Sequence, residues 1–193
     1  MIIAITNLKG GVGKTTTSIA LATAAQKAGE DVMVIDADSQ GSATLWALSA
    51  EEKEIPLPFK VVPGNQATIP RLKNDSKWIF IDCPPSGKVT DEAVKIADFV
   101  VVPMTPSAVD MQQTWATTET LTLAEKPFAV LLVRADKRTL SYRAAIEALK
   151  EADLSYFEEG IPQREDIKNY FGNPFDDELY GYQTVLNEIK GAL

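Results

Sequence analysis

Lys9-Gly10-Gly11-Val12-Gly13-Lys14-Thr15-Thr16 stands directly after the apolar run Ile2-Ile3-Ala4-Ile5. The order reads as a strand, a glycine turn and a helix start. Gly10, Gly11 and Gly13 let the backbone turn tightly and aim its N–H groups at phosphate oxygens. A helix opening near Thr15 adds its positive N-terminal end. Lys14 then reaches the β and γ phosphates, the Thr15 hydroxyl ligates Mg²⁺, and Thr16 bonds an α-phosphate oxygen. The ligand class implied is a nucleoside triphosphate with Mg²⁺. The strict loop G-x-x-x-x-G-K-[ST] fails by one residue, because Leu8 stands where its first glycine belongs. What stands instead is K-G-G-x-G-K-T, with Lys9 placed inside the loop. A nicotinamide-binding turn is the rival. Gly11-x-Gly13 starts its G-x-G-x-x-G pattern, and Asp36 sits where a ribose-binding acid belongs. Thr16 replaces the third glycine, however, and Lys14-Thr15 has no purpose there.

The rest of the composition narrows the chemistry. The chain has 193 residues, 45% of them apolar and 24% charged, which fits one globular domain. A net charge of −8 offers no global basic field to nucleic acid or anionic lipid. Histidine is absent, which excludes a Ser-His-Asp triad, a histidine base and histidine-ligated metal. Cys83 is the single cysteine, so intramolecular disulfides and cysteine-cluster zinc sites are excluded, in keeping with a reducing cytoplasm. The N-terminus lacks the pattern of a signal peptide. No apolar run reaches the ~18 residues of a membrane span.

Strands are expected at residues 2–6, 31–36, 59–63, 78–83, 99–104 and 128–134. Several are continuous β-branched or aromatic runs, such as Val100-Val101-Val102, the mark of strands buried on both faces. Helices are expected at 15–28, 91–97, 109–124, 141–151, 164–171 and 179–189, with a connector at 48–58. The alternation predicts a doubly wound α/β fold: a mostly parallel sheet flanked by helices, forming one domain over residues 1–193. The first helix is rich in Ala20, Ala22, Ala24, Ala25 and Ala28, small enough to approach a sheet closely.

Two acidic strand ends complete the pattern. Ile35-Asp36-Ala37-Asp38 closes the second strand, where such acids orient metal-bound or attacking water. The competing reading is a turn and helix cap before Ser39-Gln40-Gly41. Trp78-Ile79-Phe80-Ile81-Asp82 is an apolar strand ending in an aspartate placed to hold Mg²⁺, directly or through water. Pro84-Pro85 then leads the chain out of the sheet. Cys83 is expected to pack in the core. Without histidine, hydrolysis must rest on water positioning and charge neutralisation, which phosphoryl transfer permits.

Lys9 to Thr16, Asp36 to Thr44 and Ile79 to Pro85 together resemble the deviant Walker A ATPases, in particular the ParA partition branch. The likeness extends more weakly through Val100-Val101-Val102-Pro103 and residues 157–165. The resemblance implies ATP and Mg²⁺ as cofactors and an ATP-sandwich homodimer. Lys9 is then the signature lysine, crossing to the ATP of the partner subunit. Asp38 positions the attacking water, and Asp36, Asp82 and Thr15 serve the Mg²⁺. Val12 and the loop glycines line the phosphates with Lys14 and Thr16. The implied partners are nonspecific DNA and a ParB-like or other cargo-bound activator of hydrolysis. The implied location is cytoplasmic, on the nucleoid in the ATP state.

The sequence also departs from that pattern. Ser39 stands where members often carry proline. Arg134 stands where many place an asparagine that reads adenine, so Arg134 either stacks on the base or points elsewhere. Ile161-Pro162-Gln163-Arg164 resembles the late loop near the base, which puts Pro162 among the nucleotide residues. The chain begins at its first strand, as in the small type without an N-terminal helix-turn-helix. Arg134, Lys137, Arg138, Arg143 and Lys150, with Arg164 and Lys168, offer either a DNA contact or an ordinary solvated face among Asp136, Glu147, Glu151 and Asp153. A membrane-associated MinD-like regulator needs a basic amphipathic tail, and residues 179–193 carry only Lys190. An iron–sulfur carrier needs more than one cysteine. Tyr180 and Tyr182, the residues a tyrosine-kinase reading would use, are expected to pack. A nucleotide-dependent interaction switch with little hydrolysis is the remaining alternative.

Overall fold

The structure, a computed structural model, describes residues 1–74 and 77–193. Its strands are β1 (Ile2–Ile5), β2 (Val32–Asp36), β3 (Lys60–Pro63), β4 (Trp78–Asp82), β5 (Phe99–Met104) and β6 (Phe128–Leu132). They form one sheet in the order β3-β2-β4-β1-β5-β6, with every pairing parallel. The helices are α1 (Lys14–Lys27), α2 (Ser42–Glu52), α3 (Lys88–Ile96), α4 (Ala108–Leu123), α5 (Leu140–Glu151), α6 (Glu165–Asn169) and α7 (Tyr182–Ala192), with a 3₁₀ segment at Ile69–Asn74.

Two separate cores explain the uninterrupted apolar strands. Ile3, Ile5, Val34, Phe80, Val101 and Leu131 face one side, where α1, α2 and α7 cover them. Ile2, Ala4, Ile79, Ile81, Val100 and Val102 face the other, under α3, α4, α5 and the 3₁₀ segment. Successive side chains alternate between faces, so a strand buried on both must be apolar throughout. Helix α1 lies between the sheet and α7, and residues 17–25 are all buried. Its alanines permit that close double contact.

The fold departs from the sequence expectations in several places: α7 opens at Tyr182 rather than at 179, α6 spans only Glu165–Asn169, and three further differences bear on the site. Residues 48–52, expected as connector, belong to α2. That helix buries only Ala43, Trp46 and Ala50 and leaves Leu45 (54%) and Leu48 (49%) exposed, so its apolar pattern is blurred. The 3₁₀ segment carries no helical period long enough to announce it. Strand β6 ends at Leu132 rather than at 134, because Arg134 takes a left-handed backbone (φ 51°) that no strand continues.

The topology places the functional end. Helices α1 and α3, which follow the neighbouring strands β1 and β4, cover opposite faces of the sheet. A crevice opens there beyond the carboxyl ends of the strands, the usual ligand position in such sheets. The loops after β1, β2 and β4 all meet in it.

Candidate nucleotide-binding site

The glycine loop runs from the end of β1 into α1. Gly11 (φ 76°) and Gly13 (φ 83°) are both left-handed, a conformation that side chains with a Cβ resist. Gly13 caps α1 with no side-chain partner, so the first amides of the helix point into the cleft. Lys14 is only 8% exposed. Its Nζ donates to the carbonyls of Asn7 (3.1 Å) and Lys9 (2.9 Å) and makes no ion pair among the described residues. Burial lowers its pKa, against the pull of Asp82 and then Asp38. An ammonium so placed is complementary to an incoming polyanion.

Asp36 and Asp82 are register partners on adjacent strands. Asp82 accepts from Thr15 Oγ1 (2.7 Å) and Ser18 Oγ (3.4 Å). Burial pushes its pKa up to about 7, opposed by the Thr15 bond and reinforced by the charge of Asp36. Asp36 Oδ2 accepts from both the amide and the hydroxyl of Thr44, each at 2.7 Å. Its Oδ1 is buried and has no hydrogen-bond partner among the described residues. A buried carboxylate oxygen without a partner is costly, and a hard cation or its water relieves that cost. The donor set of Thr15, Asp36 and Asp82 is all oxygen, which suits Mg²⁺. No group of three or more acidic, histidine or cysteine ligands gathers among the described residues. A cation here takes its remaining oxygens from water and phosphate, as Mg²⁺ commonly does.

Asp38 lines the same cleft, together with Ser39 and Gln40. Its Oδ1 accepts from the Gln40 amide (3.0 Å), and its carbonyl accepts from the Gly41 amide (2.9 Å). Asp38 therefore makes the turn the sequence allows and also lines the cleft. The cap of α2 is Gly41, not an acid. The cleft measures about 660 Å³ and takes in Gly10, Gly11, Gly13, Lys14, Thr15 and Thr16. Val12 is buried beneath the loop. Lys9 is half-buried and is not among the residues lining the cleft.

Arg134 stands on the wall between this cleft and a smaller pocket that holds Thr16, Pro162 and Tyr182. Pro162 reaches it through a parallel bridge to Ala135, with Ala135 N bonded to Ile161 O at 2.9 Å. Arg134 and Pro162, 28 residues apart in sequence, thus flank one opening. Val133, Ile161, Ile167 and Tyr182 give that pocket apolar lining beside Arg134 and Arg164.

Several site residues escaped the sequence reading. Thr44 and Ser18 hold the carboxylates. Trp46 and Phe171 line the cleft with their rings 5.4 Å apart, and Trp46 Nε1 donates to Asn173 O. The missed α2 hid that pairing. Among the basic residues, Lys137, Arg138 and Lys168 pair with Glu159, Asp136 and Glu165. Arg134 and Arg164 form no ion pair among the described residues and rim the small pocket. Cys83 is buried, as expected, and burial pushes its thiol up out of reactivity. Helix α7 spends its apolar face, Tyr182, Val185, Leu186 and Ile189, on the core. Its Lys190 pairs with Glu30 (2.7 Å) and lies over the Trp78 ring. Among the described residues, no helix is long and apolar enough to cross a membrane.

Residues 3–173 match the family described as the CobQ/CobB/MinD/ParA nucleotide binding domain. The chain is 36% identical over 170 residues to the maintenance of carboxysome distribution protein A of Gloeobacter kilaueensis, covering 83% of this chain and 73% of that one. In fold it is similar to a putative plasmid partition protein of Borrelia burgdorferi bound to AMPPNP. The TM-score there is 0.79 at 22% identity, over 100% of this chain and 99% of that one. It is likewise similar to the septum site-determining protein MinD of Pyrococcus horikoshii complexed with Mg-ADP, with TM-score 0.76 at 18% identity over 97% and 95% of the two chains. The chain therefore belongs to the CobQ/CobB/MinD/ParA nucleotide-binding family.

Proposed function

We propose that this chain, acting over residues 1–193 as one domain, binds ATP with Mg²⁺ and hydrolyses it slowly to ADP and phosphate as a positioning ATPase. The unpaired, buried Asp36 Oδ1 beside the Thr15–Asp82 hydrogen bond carries this reading, because it is a cation requirement built at the foot of a phosphate loop. Mg²⁺ would supply neutralisation of the phosphate charge. Thr15, Asp36 and Asp82 would hold it. Lys14 compensates the β and γ phosphates, and the amides of residues 10–16 line them. Thr16 bonds the α-phosphate, while Arg134 and Pro162 border the base. Asp38 orients the attacking water. Its turn bond to Gln40 occupies one oxygen, which fits slow turnover until something reshapes the loop.

In the fuller reading, Lys9 completes the site of a second copy, so that ATP joins two subunits and hydrolysis separates them. That Lys9 is absent from the lining of its own cleft supports this role. The ATP dimer then holds nonspecific DNA through exposed basic residues such as Arg143 and Lys150 on α5, and a ParB-like or other cargo-bound activator triggers release. The carboxysome protein named above and the ParA branch make cargo positioning the favoured purpose. A MinD-like membrane role is disfavoured, because α7 uses its apolar face internally. A switch with little hydrolysis differs only in turnover, which phosphate release with and without DNA decides. Retention of DNA with ATP, with ADP and without nucleotide, across a salt series, tests the DNA step. Retention limited to ATP and falling steeply with salt is expected. Equal retention in all three states removes DNA from the cycle.

A further inference from the structure

The amides of Leu8 and Lys9 are captured inside the fold. Lys9 N donates to Asn7 Oδ1 (2.9 Å), and Leu8 N donates to Thr117 Oγ1 on α4 (3.1 Å). Asn7 is wholly buried. Its Nδ2 donates to Pro103 O at the end of β5 (2.9 Å) and to Thr114 Oγ1 (3.0 Å). The Thr117 hydroxyl hydrogen lies between Gln113 O (3.0 Å) and Asn7 Oδ1 (3.5 Å). Both donors of the Asn7 amide are therefore engaged, and its Oδ1 accepts from Lys9 N. From the other side, Lys14 Nζ grips the carbonyls of Asn7 and Lys9. Residues 7–9 are thus pinned by α4, β5 and α1 at once.

An apolar residue at position 7 would fill this core without any need for polar partners. What asparagine adds is a defined direction for the Lys9 amide, as Thr117 does for the Leu8 amide. Those amides set where the Lys9 side chain leaves the loop. Lys9 emerges half-buried and outside its own cleft.

We propose that Asn7 and Thr117 are positioning residues that aim Lys9 away from the cleft of its own subunit, so that the Lys9-dependent step of turnover depends on two side chains that touch no nucleotide. The assignment rests on the reading of the loop as an ATP site. Because Thr114 and Thr117 stand one turn apart on α4, that helix has a direct mechanical hold on the signature lysine.

The test compares Thr117→Val, which removes the hydroxyl, with Thr117→Ser, which keeps it. Phosphate release is read under saturating Mg-ATP, and affinity is read separately with a fluorescent non-hydrolysable ATP analogue. Thr117→Val is expected to lower turnover by about tenfold or more, since small misplacements of a catalytic group are expensive. Its analogue affinity stays within about threefold of wild type, and Thr117→Ser restores turnover. Asn7→Ala goes the same way, and the threonine pair carries the test if that variant fails to fold. Added to Lys9→Ala, Thr117→Val causes no further loss, as expected of residues acting through one group. Wild-type turnover in Thr117→Val overturns the proposal. So does a parallel fall of affinity and turnover, or a further loss in the Lys9→Ala background. Wild-type protein that binds no analogue at all is a different failure, that of the ATP reading itself.

Discussion

Lys14→Met removes the ammonium and keeps the length of the stem, so packing beside the loop is preserved. Lys14 is 8% exposed, and among the described residues its ammonium is bonded to two carbonyls. Burial depresses its pKa below 10.5. The folded state therefore holds that proton less tightly than the unfolded chain does. Stability from this group rises as pH climbs from the depressed value toward 10.5, and at neutral pH the charge opposes folding. The methionine variant should lack that rise and should melt no lower than wild type without nucleotide. Mg-ATP affinity should behave in the opposite way. A charge-assisted contact contributes about 1.5–3 kcal/mol, and a unit charge pair at ~4 Å near a protein surface about 4 kcal/mol. A loss of roughly 2–4 kcal/mol is therefore expected, about 30- to 1,000-fold in Kd. Calorimetric titration with Mg-ATP and melting without ligand read the two halves separately. A Kd within about threefold of wild type refutes the phosphate assignment. A collapse of the nucleotide-free fold refutes it too, because the bonds to Asn7 and Lys9 would then be the purpose of the residue.

Asp38→Ala should bind Mg-ATP normally and release phosphate ~10²–10³-fold more slowly, the scale of losing one group that acts on the transition state; unchanged release removes Asp38 from water positioning. Gly172→Ala places a Cβ 2.8 Å from Ser49 Cβ at a backbone φ of 71°. A cost of about 1–3 kcal/mol follows, or roughly 2–10 °C in melting temperature; an unshifted melting curve contradicts that packing of the C-terminal segment on α2. Cys83 should resist a thiol reagent in native buffer and react once the chain is unfolded in denaturant, because it is buried and its thiol is pushed up. Rapid labelling of native protein contradicts the position of β4.

The strands and the phosphate loop were legible because their signals are local. Val100-Val101-Val102 is apolar because both faces of β5 are covered, and Gly11 and Gly13 are glycine because the turn demands positive φ. The carboxylates were legible as strand ends, since Asp36 and Asp82 end neighbouring strands in register. What stayed hidden depends on distant chain meeting. Thr44 holds Asp36 only after α2 folds back, and Trp46 meets Phe171 across 125 positions. A signal for α2 did exist, in the spacing of Ala43, Trp46 and Ala50 after Gly41, but exposed Leu45 and Leu48 obscured it. Asn7 lies just beyond the first expected strand. Nothing in its neighbours announces bonds to residues near 103 and 114.

Thermal denaturation of the wild-type chain with and without Mg-ATPγS tests most directly the claim that this loop, with Asp36 and Asp82, grips a magnesium-bound triphosphate. At a free ligand concentration about 100 times Kd, binding stabilises by about 2.7 kcal/mol. For a chain of this size the melting temperature should rise by roughly 5–11 °C, and the rise should shrink when EDTA replaces magnesium. A melting curve that ignores Mg-ATPγS at millimolar concentration contradicts the account.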